Sequence, residues 1–548
     1  MIPTIRSTRR SFLAAGSIFT ASAFSPRTTQ SKSMEFYGVV NGQPQAATAG
    51  MKVLAEGGNA IDAVVAAALV SAIVSPNSTG IGGYGMSAVI ATEGGKKVTA
   101  IDGNTTAPSS ITRDHFQPDA GGKYKGGIHP TNIQSSVGWN TVGVPGVLAG
   151  LQLAIDRFGT RGFGELVQPA IGFARDGIPV TKGMLQSLAN NNLLRTDPGS
   201  KKVFMPDGEL PKEGSKLRNH ELATLLESLA SANRVTAFYT GDIATQIVGC
   251  IQKNGGLLTR EDLANYRANI VEPLSISIEG QTIYTAPLTA GGISVLQGLR
   301  LLEAMRWKTI TDPLQRLHAK IEATRLVWRD RLTLLGDPNF SQVPIDQLLS
   351  HDYARSNAEI LWRIVQSGKW MDHKVLPRKQ TGTIHLNAVD RLGNCAALTL
   401  THGNGYGACV TVDGLGLTLG HGLSRFDATP GHPNGPEPGK RPLHNMVPTI
   451  IMENNSPKVV LGGTGGRKIP NSLLDILTEY LFSGDSMEDA MTSPRLHTEG
   501  SPSISLDRNW PEAHIEFAKK VGYAVTREGG ANMSAITRQK DAWNAVPK

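Results

Sequence analysis

A chain of 548 residues, 40% hydrophobic and 18% charged, has the composition of a globular protein with ample material for a large core. Its net charge of +8 is spread along the chain without a basic block or interleaved aromatics, which argues against nucleic-acid binding. Three cysteines and 13 scattered histidines, with no CxxC or HExxH spacing, support neither a disulfide framework nor a metal site, and no cofactor is indicated.

The first element is a leader. Ser7-Thr8-Arg9-Arg10-Ser11-Phe12-Leu13 carries a twin-arginine export signature, followed by an apolar run to Phe24 and an Ala21-Ser22-Ala23 cleavage site. Residues 1–24 therefore read as a signal peptide, and the mature protein as bacterial and periplasmic or secreted. The run is too short for a permanent membrane anchor. Next, Gly57-Gly58-Asn59-Ala60 places an Asn cap before a helix, apolar nearly all round, that ends at Val74. The Gly80-Ile81-Gly82-Gly83 cluster lies between this helix and a strand over Met86–Ala91. That order is the reverse of a phosphate-binding loop, so a nucleotide site is rejected.

Residues 140–260 read as mainly helical, with helices over Val147–Phe158 and Phe163–Asp176 and a capped turn at Thr259–Asp262. Strands near Leu274–Ile278 and Thr282–Thr285 precede a helix through Met305 and two further helical stretches within 313–366. A polar, basic run from Trp370 to Lys379 reads as an exposed connection. After it, Ile384–Val389 and Cys395–Thr401 form a hairpin around Asp390-Arg391-Leu392-Gly393-Asn394. Cys395 and Cys409 fall in apolar, strand-like stretches and read as buried. Pro430–Pro442 has the composition of an ordered surface loop. Strands Thr449–Met452 and Lys458–Leu461 lead into Gly462-Gly463-Thr464-Gly465-Gly466-Arg467 and a helix over Pro470–Leu481. Alternating blocks of strand and helix, without an internal repeat, give a layered α/β or α+β fold.

The candidate chemistry sits where the basic run meets the hairpin. A Gly382-Thr383 bond at the end of a loop and the start of a core strand suits a chain that cuts itself. The Thr383 hydroxyl would attack the Gly382 carbonyl, and hydrolysis of the ester would leave Thr383 as a new N-terminus. Its α-amine, titrating near pH ~8, would then serve as the base for its own hydroxyl. The Gly-Gly bend at the start of the helix near 467 offers free backbone N–H groups for an oxyanion.

Gly57–Ala63, Ser78–Gly85, Val142–Gly150, Gly255–Tyr266, Pro287–Leu302, Thr383–Thr401, Arg441–Pro448 and Gly462–Ile469 occur in an order that resembles the γ-glutamyltranspeptidase (glutathione hydrolase) family of N-terminal-nucleophile hydrolases. The resemblance covers roughly residues 34–540. It implies a four-layer αββα sandwich built from two autoproteolytic fragments, 34–382 and 383–548, associated as a heterodimer that forms one intertwined domain. It makes Thr383 the nucleophile, with His385 completing the Thr-x-His opening, and Thr401 the hydroxyl that orients it. Gly465 and Gly466 become the oxyanion glycines.

The substrate pocket departs from the family pattern. Asn104 stands where the resemblance calls for a carboxylate-binding Arg, and Ser424-Arg425 replace an acidic pair that holds an amine. His444 and Asn445 replace two serines, and Gly403 replaces an Asn. Asn104, Arg425, His444 and Asn445 are the expected substrate-binding residues. The expected activity is hydrolysis of a small-molecule amide, or transfer of its acyl group to an amine, in the broad γ-glutamyl sense. The second reading is a short carboxylated amide such as oxamate, because Arg425 would repel a free α-amino group. A catalytically silent binding protein is disfavoured, since Thr383, Thr401 and both glycines are present.

Overall fold

Strands whose two faces are both covered, and helices rich in Ala, Val and Leu, sort this chain into four layers. They are seen in a computed structural model that describes residues 37–118, 122, 136–373, 382–540 and 542–546. The leader over 1–24 lies outside the described residues, as does most of the basic run before Gly382. In chain order, β1 (Gly38–Asn41), β2 (Gly85–Thr92), β3 (Lys97–Gly103) and β4 (Asn269–Val271) precede β5 (Leu274–Ile278) and β6 (Gln281–Thr285). The hairpin β7 (Ile384–Asp390) and β8 (Cys395–Thr401) follows, then β9 (Thr449–Glu453), β10 (Ser456–Thr464), β11 (Asn532–Gln539) and β12 (Ala542–Val546).

These strands build two antiparallel six-stranded sheets, one ordered β1-β7-β8-β2-β3-β4 and the other β12-β11-β10-β9-β6-β5. Val89, Ala91, Val389 and Ala397 of the first sheet pack against Ile450, Val460 and Ile536 of the second. The first sheet's other face, with Leu386, Leu398 and Leu400, is covered by the helix Ala60–Val74. The second sheet's outer face, with Ile283, Val459 and Leu461, is covered by the helices Gly292–Ala304, Pro313–Leu334 and Lys468–Thr478. Helix, sheet, sheet, helix is the expected αββα order. Burial on both faces makes β7 and β8 apolar or satisfied at every position, which explains their unbroken burial.

The helix Ala60–Val74 starts where the sequence places it. Asn59 accepts the Ile61 and Asp62 N–H groups at 2.9 and 3.0 Å, and Asp62 accepts the Asn59 N–H at 2.9 Å. Other boundaries move. The stretch Phe163–Asp176 is two helices, Phe163–Leu166 and Gln168–Asp176, because Pro169 in the first turn of the second begins a new helix. β10 runs longer than its apolar centre, and the helix after it starts at Lys468 and closes as a π turn over Glu479–Ser483.

Two surface expectations are corrected. Trp370 begins the supposedly exposed run half-buried beneath Arg325, 5.1 Å from its guanidinium, and the Met371 N–H binds Glu322 Oε2 at 3.0 Å. The Pro430–Pro442 loop turns inward at Asn434, Lys440 and Arg441, which are buried because their polar ends find partners. Cys395 and Cys409 are buried free thiols, although Cys409 lies in a turn at φ +58° and not in a strand. No helix among the described residues is long and apolar enough to cross a membrane.

Candidate active site

The hairpin register pairs Ile384 with Leu400, so Thr383 and Thr401 face each other at its open end. Both are buried. The Thr383 hydroxyl touches the Gly382 carbonyl oxygen and lies 3.3 Å from the Thr401 hydroxyl. Thr401 Oγ1 donates to that same carbonyl at 3.1 Å and accepts the Gly403 N–H at 2.8 Å. Gly382 sits at φ +95°, where a Cβ would lie 3.0 Å from the Gly403 carbonyl oxygen. Glycine is what lets the chain double back this closely. One corner thus holds a nucleophilic hydroxyl, the carbonyl it could attack, and a second hydroxyl that polarises that carbonyl.

The second sheet carries the glycine bend toward the same end of the hairpin. Val389 and Val460 share the inter-sheet cluster, and a Cβ on Gly462 would strike the His385 ring at 2.3 Å. Passing from Val389 to His385 leads toward Thr383, while passing from Val460 to Gly462 leads toward Gly465. The end of β10 and the Gly465-Gly466 bend, at φ +147° and +61°, therefore lie toward the Thr383 end. The bend opens the helix Lys468–Thr478, whose Lys468 and Ile469 N–H groups donate back to the Gly465 and Gly466 carbonyls at 3.3 and 3.2 Å. Below it, His385 contacts Thr399 Oγ1 at 2.7 Å and Asn387 Oδ1 at 2.9 Å, and Asn387 donates to the Ser534 carbonyl at 3.1 Å. This buried polar chain ties β7 to the second sheet. It fixes the position of β7 relative to the second sheet.

The expected substrate-binding residues separate into two groups. Asn104 is fully buried, and its amide donates to Thr289 Oγ1 at 2.8 Å and the Pro442 carbonyl at 2.7 Å. Both of its donor hydrogens are thus engaged within the chain, which makes it a clamp on the segment leading to His444 rather than a hand toward ligand. His444 is buried, and burial together with Arg331 and Arg441 pushes its pKa down to about 3, so the ring is neutral. Asn445 accepts from Arg331 Nη2 at 3.1 Å. Its neighbour Met446 packs toward Gly85, which pairs with Thr401. Arg425 is buried, not a surface cation, and its Nη2 lies 3.3 Å from His421 Nε2. That same Nε2 accepts the Asn404 N–H at 2.9 Å, beside Gly382.

Residues 46–547 match the family described as Gamma-glutamyltranspeptidase. The chain belongs to that family. It is 33% identical over 543 residues to the glutathione hydrolase proenzyme of Escherichia coli K12, covering 94% of this chain and 91% of that one. It is 31% identical to the acylase ACY 1 proenzyme of Pseudomonas sp. strain SE83, covering 91% and 89%. The solved structure of a cephalosporin acylase from Bacillus halodurans superposes with a TM-score of 0.80 at 27% identity, covering 94% and 96%. Membership makes the chain an autoprocessed N-terminal-nucleophile hydrolase or acyltransferase acting on amide bonds. Within the family frame, the fold matches the αββα sandwich expected from the motifs.

The sequence of this gamma-glutamyltranspeptidase-family chain does not single out the buried arginines behind the His444-Asn445 segment and after the glycine bend. Arg331, on the helix Pro313–Leu334, and Arg467, just after the glycine bend, both lie over the Trp328 ring, at 5.8 and 4.7 Å. Arg467 is paired with Glu499 at 2.8 Å. His421 was missed too, although it explains Gly403: a Cβ there would strike the His421 ring at 2.2 Å. The signal for Arg331 was present but diffuse, since Trp328 and Arg331 stand at helical i,i+3 spacing within an otherwise charged stretch. Among the described residues no group of His, Cys, Asp and Glu is arranged to hold a metal.

Proposed function

We propose that this protein cleaves itself between Gly382 and Thr383 and then hydrolyses or transfers the acyl group of a small amide whose acyl chain carries no free ammonium. The observation that carries the reading is the contact of the Thr383 hydroxyl with the Gly382 carbonyl, with Thr401 donating to the same oxygen. In the first step Thr383 Oγ1 bonds to the Gly382 carbonyl carbon and the peptide C–N bond breaks, the hydroxyl proton passing to the departing nitrogen. Water then hydrolyses the ester, releasing a Gly382 carboxylate and a free Thr383 amine and hydroxyl. In turnover the amine takes the hydroxyl proton as Oγ1 attacks the substrate, and returns it to the leaving group. Thr401 orients the hydroxyl, and the N–H groups of Gly465 and Gly466 hold the oxyanion. Water or an amine resolves the acyl-enzyme.

The fragments 34–382 and 383–548 stay together as a heterodimer, and residues 1–24 direct export to the periplasm or beyond. Substrate choice rests on charge. A cation at Arg425, close behind Asn404 and Gly382, disfavours a substrate ammonium, while Asn104 holds the Pro442–Asn445 segment in place. A γ-glutamyl donor is therefore expected to be poorer than its unaminated counterpart, glutaryl, or than a shorter carboxylated amide such as oxamate.

The test is direct. Wild type should run as two bands on a denaturing gel, the smaller beginning at Thr383, while Thr383→Ala stays one chain and is inactive. The glutaryl or oxamyl anilide should exceed the γ-glutamyl anilide in kcat/KM. An intact wild-type chain that still turns over amides would overturn the mechanism, and a strong γ-glutamyl preference would overturn the substrate reading.

A further inference from the structure

Arg331 is buried, at 3% exposure, at the end of the helix Pro313–Leu334 that covers the second sheet. Its Nη2 donates to the His444 carbonyl at 2.8 Å and to Asn445 Oδ1 at 3.1 Å, while Nη1 has no hydrogen-bond partner. The ionisable groups that weigh on it are Arg467, which repels it, and the Tyr84 hydroxyl; among the described residues no carboxylate stands with them. Burial and Arg467 push its pKa down to about 9, so it remains a cation at neutral pH. The contrast with its neighbours is informative. Arg467 has Glu499, Arg441 has Asp102 at 3.4 Å, and Lys320 has Glu479 at 2.8 Å. Those three buried cations are each matched by an acid, and among the described residues none is paired with Arg331. An unmatched buried charge is costly unless something supplies the opposite sign.

Its position says what could supply it. Arg331 shares the Trp328 indole with Arg467, the residue that directly follows Gly465 and Gly466. It grips Asn445, whose neighbour Met446 abuts Gly85, the strand partner of Thr401. Near it stands Tyr84, which packs against Gly403 next to Gly382. The guanidinium is therefore bracketed by the nucleophile hairpin, the glycine bend and the His444-Asn445 segment. A guanidinium with an unused N–H edge binds a carboxylate through charge-assisted, directional hydrogen bonds.

We propose that Arg331, presented by Asn445 and the His444 carbonyl, is the anchor for a carboxylate on the acyl group of the substrate. The proposal rests on the amidase reading above and names the group that reads the acyl chain. It differs from a packing role for Arg331 in one respect: it acts on charged donors alone.

The experiment compares glutaryl and pentanoyl anilides, which match in length and differ in the terminal carboxylate, with succinyl and butanoyl anilides as a shorter pair. With the processed enzyme, Arg331→Gln should raise KM for the carboxylated donors by roughly 10- to 150-fold with little change in kcat. It should leave the uncharged donors unchanged, and Arg331→Lys should recover part of the loss. Equal loss on charged and uncharged donors, or no loss, would overturn the proposal. Two arms need no folded variant at position 331, and the first of them needs no turnover. Glutarate should bind the uncleaved Thr383→Ala protein by calorimetry, and should inhibit wild type at least 10-fold more strongly than glutaramide. Equal affinity for glutarate and glutaramide would overturn the proposal even if Arg331→Gln failed to fold. Failure of the amidase reading would appear separately, as an uncut wild-type chain that hydrolyses neither donor.

Discussion

Thr401 has its hydrogen-bonding capacity fully committed: it accepts from Gly403 N–H, donates to the Gly382 carbonyl and faces the Thr383 hydroxyl. The Gly403 N–H fixes the rotamer, which aims the Thr401 proton at the carbonyl oxygen where negative charge would develop during self-cleavage. Removing one such preorganised donor slows a reaction by roughly 10²–10³-fold. Thr401→Ala should therefore slow the appearance of the two fragments by about that factor, timed on a denaturing gel, while Thr401→Ser should cleave at a rate close to wild type. Equal rates for alanine and threonine would remove Thr401 from the mechanism. His385, two residues along the strand, works differently, since both its ring nitrogens are engaged by Thr399 and Asn387 and none is left for the Thr383 hydroxyl.

The turn after β8 shows how one element accommodates a changed pocket. Gly403 stands at φ +104°, with the His421 ring filling the place of its missing Cβ. His421 in turn accepts the Asn404 N–H and lies against Arg425, so Gly403, His421 and Arg425 form one packed unit. Gly403→Asn should then destabilise the protein by roughly 1–3 kcal/mol, read as a shift in urea midpoint, because of backbone strain and the clash with the ring. Adding His421→Ala should recover part of that loss; no loss in the single variant would mean the ring moves freely. Such coupling marks the boundary of what the sequence discloses. The hairpin, the cap at Asn59, the glycine bend and the apolar strands were legible, because period, cap chemistry and turn composition are local. The internal partners of Asn104, Thr289 and Pro442, are not legible in the sequence because they are distant in the chain. Arg331 is not legible for the same reason: what singles it out is that no described acid is paired with it in space, and no local pattern records that.

At the level of the whole molecule, the proposed cut divides sheets rather than separating domains. In the first sheet β7 and β8 lie between β1 and β2, so the fragment from Thr383 onward is inserted into strands of the preceding one. In the second sheet β9 of the later fragment pairs with β6 of the earlier. The two fragments should consequently co-elute on native gel filtration after cleavage and part only under conditions that unfold the protein; separation in native buffer would contradict this pairing. The same tight burial sets the response to acid. Burial holds the pKa of His402 down to about 3, as it does, with Arg331 and Arg441, that of His444. Both rings are neutral when folded, whereas in the unfolded chain they titrate at the ordinary value near 6.5. Below that value unfolding takes up protons, so the stability these rings contribute is complete above pH ~6.5 and declines as the pH falls toward about 3. Each histidine alone gives a slope of up to about 1.4 kcal/mol per pH unit. Asp475, raised to about 6 by burial, acts in the opposite sense between about 6 and its ordinary value near 4, and offsets part of the loss there. The thermal midpoint should therefore drop between pH 7 and 5, and His402→Gln should flatten that drop relative to wild type. A wild-type midpoint that is constant or rises over this interval would show that these histidines are not held neutral in the folded state.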